Sequence, residues 1–496
     1  MDALQTGTAC SASSLLPVDG PDRHEVTGGL GDGLPSLLLY RFYRPSSRPV
    51  THRSHTSAPT STPVTDARRA AADVCADLRT GVLLDAAFER RAVALDGRDR
   101  RWTQELVYGM LRRRGWIDHA LLSRVRGGLA RLDADLSDLI RLGAYQLLEM
   151  GSVPAYAAIA QTVELTKQRH GLGASKLVNA VLRRLDRERS SLGADLPTDP
   201  IDALATEFSH PRWLVARWAA RFGADATRAL LEANNREAPV ILRPWGLVRE
   251  QLEAMLETAG VRVEDAPLAE DSIRVVGPVS LLDLAPFTQG YCFVQDPAAT
   301  LVTRYAAVPA GATVADLCSA PGGKSIELAR GAALVVSGDI SATRLSRLTS
   351  TKRRLDLPNV APVAFDARHP AVQPVDAVLV DAPCTGTGTF RRHPDARWRL
   401  RLSDLAVTAM TQRDILRSAA QLVKPGGLLV YSTCSLEPEE NEAQVEAFVS
   451  ANPGWLLEPP PAGSVPSATL DQGYLRVLPH LHGADGAFAA RLRSPA

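Results

Sequence analysis

Two cysteines carry the residue type and setting with the most chemical potential in this chain. Cys384 sits in the run DAPCTGTG and Cys434 in the run YSTCSLEPEEN. Each follows an apolar stretch that reads as a buried strand, 375–380 before the first and 428–431 before the second. A third such stretch, 312–317, leads into Cys318, Ser319, Ala320, Pro321, Gly322, Gly323 and Lys324. In an open α/β sheet, ligands bind beyond the carboxyl ends of the strands. Three strand ends with two thiols and a glycine-containing loop therefore imply one shared site. A thiolate is the nucleophile of choice for an electron-poor ring carbon. C5 of a pyrimidine is not nucleophilic, but a thiolate added at C6 makes it enamine-like and able to take a sulfonium methyl. The C5 proton must then leave, which calls for a general base. Asp381 precedes Cys384 and is a candidate to hydrogen-bond the ring N3 and amino group, while Lys324 adds positive charge. Isolated cysteines are usually inert core residues, and Cys10, Cys75 and Cys292 are expected to be so.

The loop at 318–324 lets a ligand approach the backbone closely, and the helix after it offers its amide-rich N-terminus. Asp339 ends the next strand, where an acid commonly accepts from ribose hydroxyls. Asp366 follows the third strand and is a candidate for an adenine amino group. The loop matches neither G-x-G-x-x-G nor the P-loop pattern, and alone it reads equally well as a tight turn. Acids at successive strand ends favour a nucleoside site.

The elements that must position these residues begin near 296, where strands at 314–317, 334–337, 360–364, 377–380 and 428–431 alternate with helices such as 341–355 and 405–422. That alternation predicts a parallel, doubly wound sheet. Ahead of it, 196–290 reads as a small α/β module, with helices at 212–222, 224–233 and 249–259 and short strands at 239–242, 261–263, 273–275 and 291–294. From 64 to 195 the pattern is helical throughout: 67–84, 101–113, 134–150, 155–170 and 175–189, punctuated by Pro154 and the Gly171–Gly173 pair. Residues 1–63 are rich in Ser, Thr, Pro and Gly and read as a disordered leader.

At 496 residues the chain is too long for a single core. No apolar run reaches the length of a membrane span, and the N-terminus has no secretory pattern. The six cysteines form no C-x-x-C unit, which argues against a zinc site or disulfide framework and for a reducing cytoplasm. The overall charge is +1, yet 64–195 holds 22 Lys and Arg against 17 Asp and Glu, a hint of a polyanionic partner.

The runs DLCSAPGGKS, DAPCTGTGTFRRHPDARW and KPGGLLVYSTCSLEPEENE resemble the motifs of the RNA cytosine-5 methyltransferases of the Sun/Fmu group. RRWTQELVYGMLRR, IRLGAYQLLEM, VPAYAAIAQTVEL and LVNAVLRRL resemble the NusB-like helical domain that precedes the catalytic domain in one branch. SHPRWLVARW, GYCFVQDPAA and HLHGADGAFAARL fit that branch too, so the resemblance covers about residues 66–493. It implies a multidomain chain: an all-α NusB-like RNA-binding bundle at 64–195, a small α/β linker module at 196–290, and a Rossmann-like class I S-adenosylmethionine-dependent methyltransferase domain at 291–496. Cys434 then matches the covalent nucleophile and Cys384 the thiol linked to product release. Cys318, Ser319, Ala320, Pro321, Gly322, Gly323, Lys324, Asp339, Asp366 and Asp381 match the S-adenosylmethionine-site positions. The implied partner is RNA, in this branch 16S ribosomal RNA, and no metal is required.

Leu242-Arg243-Pro244-Trp245 departs from the Leu-Arg-Val-Asn usual in relatives, which suggests altered RNA contact by the module. Arg98, Arg100, Arg101 and Arg112–Arg114 read either as a solvated helix face or as phosphate contacts, and Arg391, Arg392 and His393 as better candidates for RNA contact near the target. Two rival functions are a non-catalytic NusB-like RNA-binding protein and methylation of another acceptor, such as transfer RNA, DNA or an exocyclic amine. The intact thiols oppose the first. Asp-Ala-Pro-Cys in place of an Asn/Asp-Pro-Pro-Tyr motif opposes the amine.

Overall fold

The computed structural model describes residues 63–193 and 195–496; the expected leader and Cys10 lie outside them. Six helices form the first region: α1 (Asp66–Arg79), α2 (Leu84–Ala92), α3 (Gly97–Arg112), α4 (Arg114–Leu122), α5 (Ala134–Leu148) and α6 (Ala155–Arg187). Side-chain caps open two of them. Asp96 accepts from the Asp99 amide at 2.8 Å to open α3, and Asp133 accepts from the amides of Asp135 and Leu136 to open α5. Their apolar faces meet in one core that includes Leu106, Met110, Ile117, Leu121, Ile140, Val178 and Leu182. One sequence expectation needs correction here. The helix expected at 67–84 ends at Arg79, and a turn at Thr80-Gly81 separates it from α2, which the periodicity did not resolve. The helices expected on either side of Gly171 are separated there as expected: its φ of 81° and ψ of −176° lie outside the helical range, a kink that glycine adopts readily.

The next region holds α7 (Pro200–Glu207), α8 (Arg212–Phe222), α9 (Ala224–Asn235), β1 (Val240–Pro244), α10 (Arg249–Thr258), β2 (Arg262–Asp265), β3 (Ile273–Val276), α11 (Ala285–Thr288) and β4 (Cys292–Val294). The four strands pair antiparallel in the order β2-β3-β1-β4. Cys292 is buried in this module and Cys75 in the helical bundle, as inert thiols should be.

The remainder comprises α12 (Pro297–Ala306), β5 (Thr313–Asp316), α13 (Gly323–Leu328), β6 (Leu334–Asp339), α14 (Ala342–Leu355), β7 (Val360–Ala364), β8 (Val375–Asp381), α15 (Ala396–Arg399), α16 (Leu402–Ala420), β9 (Val423–Thr433), α17 (Glu442–Ala451), β10 (Leu456–Leu457), β11 (Leu470–Asp471), β12 (Tyr474–Val477), α18 (Pro479–His482) and β13 (Ala487–Arg493). Strands β7-β6-β5-β8-β9 lie side by side in that order and are all parallel. Both faces of this sheet are buried. Ala377, Leu379, Leu428 and Val430 enter one core while Val378, Val380, Leu429 and Tyr431 enter the other. β13 extends the sheet antiparallel to β9, followed by β12 and β11. These late strands were not expected: AFAARLR has helix-forming composition, and pairing with β9 along six residues overrides it.

The regions are joined by tight seams. Trp218, Leu214 and Leu230 from α8 and α9 share a core with Phe390 and Leu436, which belong to the loops after β8 and β9. Trp398 Nε1 donates to Leu111 O at 2.7 Å, and Arg114 lies over the Trp398 ring.

Candidate functional site

The strand order reverses between β5 and β8, because β6 and β7 lead away on one side and β9 on the other. A crevice opens beyond the carboxyl ends at such a switch point. A cleft of about 500 Å³ occupies that place, lined by Leu317, Cys318, Ala320, Asp339, Ile340, Arg344, Asp366, Asp381, Pro383, Cys384, Ile415 and Cys434, among others. Seven residues singled out from sequence thus share one cavity wall. Ser319, Pro321, Gly323 and Lys324 line a neighbouring cleft of about 340 Å³, and Ala320 and Asp381 face both. Gly322 lines neither. Its φ is 112°, and a Cβ there would meet Leu348 Cδ1 at 2.3 Å, so glycine lets the loop lie flat on α14.

The thiols of Cys384 and Cys434 stand 3.3 Å apart, sulfur to sulfur. They follow adjacent parallel strands, and the loops carrying them are fastened together. Gly388 N donates to Cys434 O at 2.9 Å, Gly486 N donates to Gly388 O at 2.8 Å, and Leu436 N donates to Thr387 Oγ1 at 2.8 Å. The hydrogen bond with Cys434, then burial, then the charges of Cys434 and Glu440 push the Cys384 thiol well above its usual range. Beside the thiols, Asp381 accepts from Lys324 Nζ at 2.7 Å and from Ser432 Oγ at 2.8 Å. Burial works against the Lys324 charge, but Asp381 outweighs it and the ammonium's pKa is raised. Lys324 therefore stays charged at neutral pH.

At the other end of the cleft, the buried Asp339 accepts from the amides of Ala320 and Ser341, at 3.2 and 2.8 Å. Asp366 is gripped by its own neighbour: Arg368 forks onto its carboxylate and holds it down at about 2. Ile340, 70% exposed, adds an apolar side chain to the lining of the same cleft. An apolar wall flanked by two acids fits a nucleoside.

Comparison with known proteins now places the chain. The family described as 16S rRNA methyltransferase RsmB/F matches residues 307–493, the NusB family 65–187, and the RsmF/B-like ferredoxin-like domain 210–282. A probable ribosomal RNA small subunit methyltransferase B from Synechocystis sp. is 34% identical over 431 residues, 84% of this chain and 96% of that protein. The chain belongs to this methyltransferase B family. Its member from Vibrio cholerae is 36% identical, across 80% of this chain and 89% of that one. Among solved structures, PH0851 superposes with a TM-score of 0.73 at 26% identity, covering 87% of this chain and 99% of that one. NSun6 from Pyrococcus horikoshii, solved with SFG, shares the fold at a TM-score of 0.51 and 22% identity, over 58% of this chain and 98% of that one. As a member of this family the chain is an S-adenosylmethionine-dependent RNA methyltransferase.

Within this methyltransferase the arginine-rich segments bind other parts of the chain. Arg391 and Arg392 form a closed cage with Asp296 and Asp485: Arg391 Nη2 is 2.7 Å and Arg392 Nη2 2.6 Å from the same Asp296 oxygen, and both guanidinium groups also bond Asp485. Arg391 is buried and Arg392 partly so, and this network ties the loop after β8 to the start of α12 and to the loop before β13. His393 faces Asp85 of α2 at 3.5 Å. Arg112 donates to Arg391 O and Arg113 to Glu207 O, so the 112–114 run staples α3 and α4 to the rest of the chain. Arg243 is likewise buried on Glu327 and Asp271, and Trp245 donates to Leu355 O, so the unusual Leu-Arg-Pro-Trp run holds the module to helices α13 and α14.

Three residues escaped the sequence reading. Ile340 is one, signalled only by an apolar residue directly after a strand-ending acid. Asp316, fully buried at the end of β5, is another; it accepts from Ser325 Oγ at 2.6 Å, and burial, reinforced by the Asp381 charge, lifts its carboxyl to about 7. An acid closing an apolar strand was the available signal. The third, Glu440, lay hidden in an acidic run that reads as solvated surface.

Proposed function

We propose that the protein methylates C5 of a cytosine in 16S ribosomal RNA through a transient bond between Cys434 Sγ and C6. The observation that carries this reading is the pair of thiols 3.3 Å apart, opening on the cleft that ends at Asp339. S-adenosylmethionine bound in that cleft supplies an electrophilic sulfonium methyl. Cys318, Ala320, Asp339 and Asp366 are the residues placed to hold its nucleoside, with Ile340 against the base and the 319–324 loop beneath. Cys434 adds to C6 and makes C5 electron-rich. The addition moves negative charge onto N3, which takes a proton from solvent, and Asp381, fixed by Lys324 and Ser432, accepts from the N3–H so formed and from the amino group. After methyl transfer, Cys384 gives up its own proton to solvent and its thiolate takes the C5 proton; the C5–H electron pair restores the C5–C6 double bond, the Cys434 thiolate is expelled, and N3 returns its proton to solvent.

The regions divide the task. The bundle at 64–195 and the module at 196–290 are read as RNA-binding, and 291–496 as catalytic. The target base must leave its stack, because C5 and C6 meet methyl and thiol from outside the ring plane. The relatives' names, ribosomal RNA small subunit methyltransferase B, support the choice of acceptor.

The test is methyl transfer from labelled S-adenosylmethionine into small-subunit ribosomal RNA by wild type, Cys434→Ala and Cys384→Ala. Products are mapped for 5-methylcytosine and run on denaturing gels. Cys434→Ala should lose transfer, and Cys384→Ala should accumulate a protein–RNA adduct. Full transfer by Cys434→Ala would overturn the mechanism. Transfer into transfer RNA but not ribosomal RNA would replace the acceptor.

A further inference from the structure

Glu440 lies in the loop after Cys434, is fully buried, and reaches across to the loop that carries Cys384. Thr385 N donates to its Oε1 at 2.9 Å, and Thr385 Oγ1 donates to its Oε2. Gln412 Nε2 donates to Oε1 at 3.3 Å and to Pro383 O at 3.0 Å, so the same contact steadies both neighbours of Cys384. Nearby acids are differently placed. Glu437 and Glu439 pair with Arg217, and Glu442 with Arg221. Among the described residues Glu440 has no ion-pair partner, only these neutral donors.

We propose that Glu440 is a positioning residue of the reaction: its carboxylate clamps the Cys384 loop onto the Cys434 loop and keeps Cys384 the protonated thiol of the pair, reserving Cys434 for attack. The proposal rests on the reading of Cys434 as nucleophile. Its physical basis is an electrical gradient across two sulfurs. A buried carboxylate without a cation opposes a second anion beside it. The charges around the pair are Glu440, hydrogen-bonded to Thr385 beside Cys384, and the Lys324–Asp381 ion pair, whose Asp381 lines the same cleft as both thiols. The remaining titratable neighbour, Tyr431, is buried beneath and pushed well up by that burial and by the Cys384 and Glu440 charges, so it stays neutral. Cys384 Sγ–H then donates to the Cys434 sulfur across the 3.3 Å gap.

The arrangement also orders the steps. Once Cys434 is bonded to C6 it carries no charge, and one obstacle to ionising Cys384 is gone. The Cys384 proton passes to solvent, and the thiolate so formed takes the C5 proton. The C5–H electron pair becomes the C5–C6 double bond, and the C6–sulfur bond breaks to return the Cys434 thiolate.

Site-resolved alkylation of the full chain tests this without RNA. Wild type, Glu440→Gln and Glu440→Asp are treated with limiting iodoacetamide across a pH series, and each cysteine is followed by mass spectrometry. In wild type, Cys434 should react before Cys384. In Glu440→Gln the Cys384 midpoint should fall by about one pH unit, raising its rate about tenfold below the midpoint. Cys434 should change little. Glu440→Asp keeps the carboxylate and should keep Cys384 slow, and it carries the test alone if the Gln variant melts early. Unchanged Cys384 reactivity in Glu440→Gln, fast Cys384 alkylation in a folded Glu440→Asp, or Cys384 as the faster thiol in wild type would each overturn the proposal. A wild type that shows the expected thiol order yet transfers no methyl to RNA would instead count against the function on which it rests.

Discussion

The loop after β8 carries two charged clusters of opposite character. At its start, Cys384 meets Cys434, with Lys324 and Asp381 alongside. Further on, Arg391 and Arg392 meet Asp296 and Asp485. In the cage every charge is met twice, and Asp296 and Asp485 are under a tenth exposed. In the thiol cluster, Lys324 has one carboxylate partner, the Asp381 side chain is 31% exposed, and both border a cleft. The difference lies in what is left over: the cage matches its charges among themselves, while Asp381 keeps exposed carboxylate surface at the cleft that both thiols line.

This contrast can be broken by mutation. Asp485→Ala should have the largest effect. Removing one partner of a buried ion-pair network leaves guanidinium charge uncompensated and costs about 3–5 kcal/mol. Denaturant unfolding should show that loss, while transfer per folded molecule should fall far less. Lys324→Met should give the reverse result. Transfer should drop by about 10²–10³-fold, as when a single charge-stabilising donor is removed, with the urea midpoint little changed. A Lys324 variant that merely unfolds would erase the distinction.

Asp316 sharpens the comparison from beneath the site. Its folded carboxyl is lifted from 3.8 to about 7, first by burial. The native state therefore holds a proton that the unfolded state releases. Its contribution is fully present below pH 3.8 and is lost as pH rises through about 7. Asp316→Asn should flatten the stability–pH curve between about pH 4 and pH 7, by at most about 4 kcal/mol. An unaltered pH profile of unfolding would show that the carboxyl is not protonated there. The smallest effect is expected at the seam. Arg114→Gln loses a cation–π contact with Trp398 and should cost about 0.5–1 kcal/mol, with the salt dependence of RNA binding unchanged if Arg114 touches no phosphate.

Much of the candidate site was legible in sequence because its parts sit at strand ends. An apolar run that stops at Asp, Cys or Gly marks both a strand and the place where a sheet presents side chains to a ligand. Asp339, Asp381, Cys384 and Cys434 all obey that rule. Asp316 closes β5 and obeys the same rule, but the apolar run read through it to Leu317 concealed it, and Glu440 did not stand out because only burial and partner geometry distinguish it from the acids around it. The partners of the arginines were hidden for the same reason. Arg391 and Arg392 are adjacent in sequence like a phosphate-binding pair, but their acids are supplied by Asp296 and Asp485, far away in the chain.

By itself the sequence determined the alternation of strands and helices, the helical bundle ahead of it, and the residue types at the strand exits. These follow from short-range periodicity and from steric limits on the backbone, which act between near neighbours. Only the tertiary structure decided that two thiols fifty residues apart come within 3.3 Å, that Glu440 reaches back to Thr385, and that four charges close into a cage. Such contacts arise from strand order and loop packing, where register across a sheet fixes distances that no local pattern encodes.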